Sequence, residues 1–360
     1  MKKILMASFI IVGVLSCVTD NSIQVTYIDQ SILSNAIHCK EELLDVNDSI
    51  FVGSSDFFVY KDSILIISKN NPKDGCFLEI RRLEDKKLIA TYFRKGNGKE
   101  ELLSANVDIN GNLLFVNDYV KSQFSIMDID SIIENKDYKC ILHKNSMTSS
   151  PTVVPYKGTF LVENPYCYND SDMSILQGVE QGNPRFLKLN ELQDDFESDK
   201  FVYNTRNVAV DGRIICNLKN NNIVYAHFGK SILEFYDDSL LLKKMVKGPL
   251  KMDIEYSLYT IPRITQKQVA YKNRIPYSYL GFCCDMNYVY LLYIGDYLKK
   301  ETDIYNMSSY ILKFDWNGNF EKSYYIGSYL SSISKGNTQD CFYATTIANN
   351  GQRNLIRIIP

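Results

Sequence analysis

The chain of 360 residues carries 40 Lys and Arg against 42 Asp and Glu, a net charge of −2. This mild, mixed charge lacks the basic footprint of a nucleic-acid binder. Its 26 Tyr and 18 Phe against a single Trp, with no long window of helical periodicity, favour β structure.

Met1, Lys2 and Lys3 precede an apolar run over residues 4–14 and then Leu15-Ser16-Cys17. A basic end and an apolar core too short to span a bilayer read as a signal peptide. Residues 1–16 are expected to be removed, with Cys17 as the lipidated first residue and 17–22 as a short tether. Several acyl chains on one cysteine hold a membrane stably, whereas one chain binds only marginally. Without Lys2 and Lys3 the net charge becomes −4. The predicted address is the cell envelope, lipid-anchored at the outer membrane. Residues 23–360 are read as one domain.

Within that domain, residues 22–29 alternate and predict a strand. Residues 57–93 give a first four-strand unit. Residues 93–142 give a second, in which Asn110-Gly111 predicts a type I′ hairpin turn and residues 113–116 a middle strand buried on both faces. Weaker versions follow at 152–189, 207–246, 277–326 and 332–359. Residues 251–273 are expected to form a connection over the surface, and 131–137 and 191–197 loops or single turns. The mean repeat is on the order of fifty residues, within the range of propeller arrays. The last unit is one strand short. The predicted fold is all-β: a six-bladed propeller of four-stranded antiparallel blades, its ring closed by the strand at 22–29.

Two resemblances support that fold. Gly96, Gly98, Val107, Asp108, Gly111, Asn117, Asp118 and residues 124–128 resemble the repeat of NHL-type propellers. Residues 57–67, 288–295 and 310–320 are similar to blades of the TolB-like six-bladed propeller lipoproteins, a family found mostly in Gram-negative gut anaerobes. In the glycine loop Lys99 stands where that family usually has Pro. The resemblance implies a lipid-anchored propeller and carries no established activity.

No G-x-S-x-G, Walker or H-E-x-x-H motif is present. Arg94, Lys95, Asn97 and Lys99 around Gly96 and Gly98 are candidates for binding an anion through backbone N–H groups and positive charge. The series Tyr271, Tyr277, Tyr279, Tyr288, Tyr290, Tyr293 and Tyr297 is a candidate stacking platform, with Tyr277 and Tyr279 as its ligand-binding members. Asp108, Asp118, Asn106 and Asn207 are candidates for a calcium ion in the central channel, which needs converging oxygen ligands. Cysteines other than Cys17 lack C-x-x-C spacing and sit beside apolar runs, so buried free thiols are expected rather than zinc ligands. Asp-Ser-aliphatic triplets at Ser49, Ser63, Ser131 and Ser239 resemble an O-glycosylation acceptor of the same anaerobes, which requires exposed turns. The expected function is non-catalytic binding of a protein, peptide or glycan. The alternatives are a calcium-dependent hydrolase or lactonase and a structural partner of an outer-membrane complex.

Overall fold

Short apolar runs separated by Gly, Asn and Asp turns fold as antiparallel meanders, because each strand is too short to bury its faces alone. The computed structural model describes residues 23–44, 54–72, 75–135, 138–144, 153–157, 159–162, 172–176, 185–188, 212–252, 256–260, 267–271, 274–299, 304–338, 340–347 and 353–360. The chain enters through β1 (Gln24–Tyr27), the helical turn α1 (Ser31–Ser34), β2 (Ile37–His38) and β3 (Lys40–Leu43). Four-stranded meanders then follow: β4 (Ser54–Tyr60), β5 (Ile64–Lys69), β6 (Cys76–Arg82) and β7 (Leu88–Arg94); next β8 (Asn106–Asn110), β9 (Leu113–Asp118), β10 (Gln123–Asp128), the short helix α2 (Ile129–Glu134) and β11 (His143–Lys144). β12 (Val153–Tyr156), β13 (Thr159–Val162), β14 (Asp172–Leu176) and β15 (Arg185–Lys188) make the next sheet, and β16 (Gly212–Cys216), β17 (Ile223–His227), β18 (Ile232–Tyr236) and β19 (Leu242–Lys247) the one after. A separate hairpin, β20 (Tyr256–Thr260) with β21 (Lys267–Tyr271), precedes β22 (Arg274–Cys284), β23 (Tyr288–Lys299), β24 (Ser309–Asp315) and β25 (Phe320–Ile326). β26 (Leu330–Lys335), β27 (Phe342–Ile347) and β28 (Arg353–Ile359) complete the chain.

The result is an all-β propeller of four-stranded antiparallel blades. Its core lies between neighbouring sheets. Phe58, Ile66 and Leu78 pack with Val107, Leu114 and Met127, Val154 and Leu161 with Ile214 and Tyr236, and Val224 and Phe235 with Leu291 and Phe314. Leu292 and Tyr324 pack with Ile333 and Phe342. Phe57 and Ile67, from the first meander, pack with Tyr343 and Leu355 from the last.

The ring does not close as the sequence predicts. β1 does not complete the final sheet; it pairs in parallel with β19, from Gln24↔Lys244 to Tyr27↔Lys247. β2 adds in parallel to β25. β3 is the strand that completes the final sheet, antiparallel to β28 from Ile356↔Leu43 to Ile359↔Lys40. Residues 24–43 thus form a strap along the outer edges of three consecutive sheets. The expected six blades around the axis are corrected to five: β4, β8, β16, β22 and β26 line it, β1 and β2 are parallel additions at the outer edges of two four-stranded sheets, and β20–β21 stands outside them. That hairpin also replaces the plain connection expected over 251–273. Gly248 explains where the strap runs. Its φ is +118°, and a Cβ there would overlap the carbonyl oxygen of Ile28, whose N–H bonds Lys247 O at 2.8 Å.

The Asn110-Gly111 hairpin exists, shifted by one residue. Asn110 pairs with Leu113, so Gly111 and Asn112 are the central pair. Only Gly111 has positive φ, +61°, as a type II′ turn requires. A Cβ on Gly111 would meet only Leu218 Cδ1, at an ordinary 3.5 Å. The cost of a side chain there is therefore conformational. Gly111→Val is expected to lower stability by about 1–3 kcal/mol, read as a lowered midpoint in chemical denaturation.

Candidate functional site

The inner strands β4, β8, β16, β22 and β26 end at one mouth of the ring, and their ends enclose a bowl of ≈ 490 Å³. Val59, Ile109, Leu218, Cys283, Cys284 and Met286 supply its apolar wall. Several polar groups in and around it are already bonded within the protein. Asn217 Nδ2 donates to Met286 O at 3.2 Å, while its Oδ1 accepts from Lys219 N at 2.8 Å. Asp285 accepts from Asn287 N, Tyr288 N and the Tyr290 hydroxyl. Lys61 donates to both oxygens of Asp130 at 2.8 Å, and that bond holds the Asp130 carboxyl below its usual range. The Asp62 carboxylate accepts from Asn337 N, tying two rim turns together.

Asn110 forms the floor. Its Nδ2 donates to Cys216 O at 2.7 Å, and its Oδ1 accepts from Cys284 Sγ at 3.1 Å. One residue of β8 is thereby bonded to both β16 and β22. Burial pushes the Cys284 thiol up, with Asp285 and Cys216 adding to the shift. Burial also raises Cys283. These thiols stay protonated, which makes them poor nucleophiles. The seven described cysteines, including Cys216, Cys283 and Cys284, are free; Cys17 and Cys167 lie outside the described residues.

On the other side of this floor lies a cluster of charged side chains. Asp108 of β8 accepts from Arg213 Nη1 of β16 at 2.5 Å. Asp56, on β4, is close enough to Arg353, Asp108 and Arg213 to feel all three charges. Burial is the largest influence on Asp56, opposed by Arg353; Asp108 raises it further and Arg213 opposes. The carboxyl titrates at about 6. Arg353 Nη1 is buried with no hydrogen-bond partner among the described residues. Tyr329, pushed up to about 12 by burial, lies within electrostatic reach of Tyr277 and Arg353.

The residues singled out by sequence fare differently. In the glycine loop, the cradle is filled from within. Gly98 N donates to Glu101 Oε2 at 2.8 Å, and a Cβ on Gly96 would overlap the same carboxylate. Lys95 donates to Asn71, and Lys121 to the carbonyls of Gly98 and Glu101. The chain's own Glu101 therefore occupies the anion position expected among Arg94, Lys95, Asn97 and Lys99. Glu101, two residues past Lys99, is the signal the sequence reading passed over. Three members of the tyrosine series are unavailable for stacking a ligand. Tyr279, Tyr290 and Tyr293 are buried, and the Tyr279 hydroxyl bonds Gly248 O at 2.8 Å. β23 is buried on both faces over residues 289–294, so Tyr290 and Tyr293 enter the core from opposite sides. Tyr277 is half-buried against the core formed by β22–β25 and β26–β28.

Two of the calcium candidates are committed elsewhere. Asp108 is paired with Arg213, and Asp118 accepts from Leu103 N, Ser104 Oγ, Val120 N and Lys121 N. Asn106 begins β8, and Asn207 lies outside the described residues. Among the acceptor serines, Ser63 and Ser239 are exposed in turns. Ser131 is half-buried in α2, with its N–H bonded to Asp128 Oδ1, so it departs from the exposed-turn expectation. Ser49 and Cys17 lie outside the described residues.

No protein-family model matches the chain, and no curated protein matches it. Among solved structures it is similar to a member of the DUF4221 family from Bacteroides vulgatus, at 10% identity and a TM-score of 0.51 over 90% of this chain and 97% of that one. It is also similar to a protein of Bacteroides fragilis described as exported, at 11% identity and a TM-score of 0.48 over 94% and 99%. At this identity the first likeness concerns the fold alone.

Proposed function

We propose that the protein is a non-catalytic binding propeller of the cell envelope, lipid-anchored through Cys17, and that its bowl receives an apolar side chain from a peptide or protein loop. The observation that carries this reading is the bowl itself: an apolar wall at the ring axis, beside which Asn217, Asp285 and Lys61 are already hydrogen-bonded within the protein. A pocket of this kind gains affinity from desolvation rather than from new hydrogen bonds. Met286 and Leu218 sit at the rim, 67% and 40% exposed. The signal-peptide pattern of residues 1–17 supports the address. Exposed Ser63 and Ser239 are the acceptors to which the proposed glycosylation narrows.

The test is binding to a random peptide array, comparing wild type with a Met286→Asp, Leu218→Asp double variant. Apolar peptides are expected to bind the wild type and to lose about tenfold or more in the variant. The thermal midpoint should stay nearly unchanged, because both side chains are exposed. Peptide cleavage, or binding indifferent to the double variant, would remove the reading. In the native host, Cys17→Ser should move the protein from the membrane to the soluble fraction, and intact mass should show glycan beyond the acylated chain.

A further inference from the structure

We infer that the apolar side chain received by the bowl belongs to the last residue of its chain, with the terminal carboxylate held by Lys335. This rests on the reading of the bowl given above and narrows it from any apolar side chain to a C-terminal one.

The space is the cavity of ≈ 490 Å³ at the ring mouth, and Ser334, Lys335 and Gly336 are part of its lining. A volume in this range takes a whole small ligand, so a residue fits together with its carboxylate. Lys335 ends β26. Its Nζ donates to Gly336 O at 3.0 Å and to Thr338 O at 2.8 Å. An ammonium carries three N–H groups. Two are spent on carbonyls of the adjoining turn, and one is left. The same two bonds hold the ammonium against the wall at Gly336. The rings of Tyr290 and Phe342 lie with their centroids 5.7 and 5.5 Å from it, and aromatic faces attract a cation without neutralising it. The Cys283 thiol of the apolar wall, raised by burial and by Cys284, feels the opposing charge of Lys335.

The other charges of the bowl are matched. Lys61 is paired with Asp130, and Asp285 accepts from two backbone N–H groups and the Tyr290 hydroxyl. Lys335 is the exception: among the described residues its acceptors are two neutral carbonyls and no carboxylate. Ser334 beside it is buried, and its Oγ accepts from Val59 N at 3.3 Å. That hydroxyl is a second donor in the lining. An occupant apolar throughout would cover the ammonium and leave its remaining N–H and its charge unmatched, which is costly. A carboxylate supplies the acceptor and the counter-charge together. In a C-terminal residue the side chain and the carboxylate branch from one Cα, so the wall and Lys335 are engaged at once. A residue inside a loop has no such group.

The experiment uses the full mature chain and calorimetric titration with short N-acetylated peptides ending in Leu or Phe, each made as the free acid and as the C-terminal amide. The free acids are expected to bind about tenfold or more tighter than their amides, and high salt should narrow that gap. Lys335→Met, which keeps an apolar stem without the charge, should bring the acids down to the level of the amides. Lys335→Arg should retain a preference for the acids. The Met286→Asp, Leu218→Asp double variant should weaken acids and amides both. Equal binding of acid and amide to the wild type overturns this inference and leaves the reading of the bowl standing. Binding of neither removes both. A preference for the acid that survives in Lys335→Met places the carboxylate on another group and overturns the inference as well. The acid and amide are compared on the wild type, so that comparison holds even if Lys335→Met disturbs the turn at 336–338.

Discussion

Gly248→Ala is expected to lift the strap from the ring and cost about 3 kcal/mol or more. Two effects combine at this residue. Its φ of +118° lies where an L side chain is strained, and the added Cβ would overlap the backbone oxygen of Ile28. A backbone carbonyl cannot rotate away as a side chain can, so relief requires residues 24–28 to leave β19. Ile28, Ile32 and Leu33, which pack against the β16–β19 and β22–β25 core, would follow. Chemical denaturation measures the loss, and limited proteolysis should cut within residues 23–44 in the variant before any other site. Wild-type stability with a protected strap would show that the strap does not depend on this contact.

Asp118→Ala is expected to cost about 3–5 kcal/mol. Asp118 is fully buried at the end of β9. Its two oxygens accept from Leu103 N at 2.7 Å, Ser104 Oγ at 2.8 Å, and Val120 N and Lys121 N at 3.0 Å. Alanine would leave three backbone N–H groups and a hydroxyl without their acceptor, and unpaired buried donors are what makes such a substitution severe. The glycine loop would lose its anchor as well, since Leu103 and Ser104 end it. Asp118→Asn, which keeps one carbonyl oxygen, should fall between wild type and alanine. Denaturant midpoints for the three proteins test the order, and equal midpoints would contradict the role assigned to Asp118.

The parts of this fold that were legible in the sequence are local. The β8–β9 hairpin announces itself through Asn110 and Gly111, and the fully buried middle strand through Leu114, Phe115 and Val116. Ring closure was not legible for a physical reason. Alternation of side chains in residues 22–29 shows that a strand exists and which faces it presents, but it carries no information about its partner or direction. β1 therefore reads equally well as a closing strand and as a parallel addition. β3, with Glu41 and Glu42 in its middle, reads as polar linker. The tyrosines mislead because an aromatic residue suits a strand whether it faces solvent or core. Neither the bowl nor the charged cluster has a local signature. Asp56, Asp108, Arg213 and Arg353 come from four separate sheets, and only the ring's geometry brings their charges within reach of one another. Glu101 differs: it lies beside the glycines it fills, and weighing it against Lys95 and Lys99 would have predicted a loop already neutralised from within.

The strap also sets an order of events during synthesis. Residues 24–43 emerge early, yet each of their strand partners lies far later, at 244–247, 324–325 and 356–359. Contacts so distant in sequence must await loop closure over most of the chain, which slows folding. Until the last strand is made, the nascent protein carries an unpaired strand at its start and open sheet edges along its length, the features that favour association between chains. A polypeptide that stops before β28 leaves β3 without its partner strand. Such truncated products are expected to accumulate as aggregates rather than as shorter propellers.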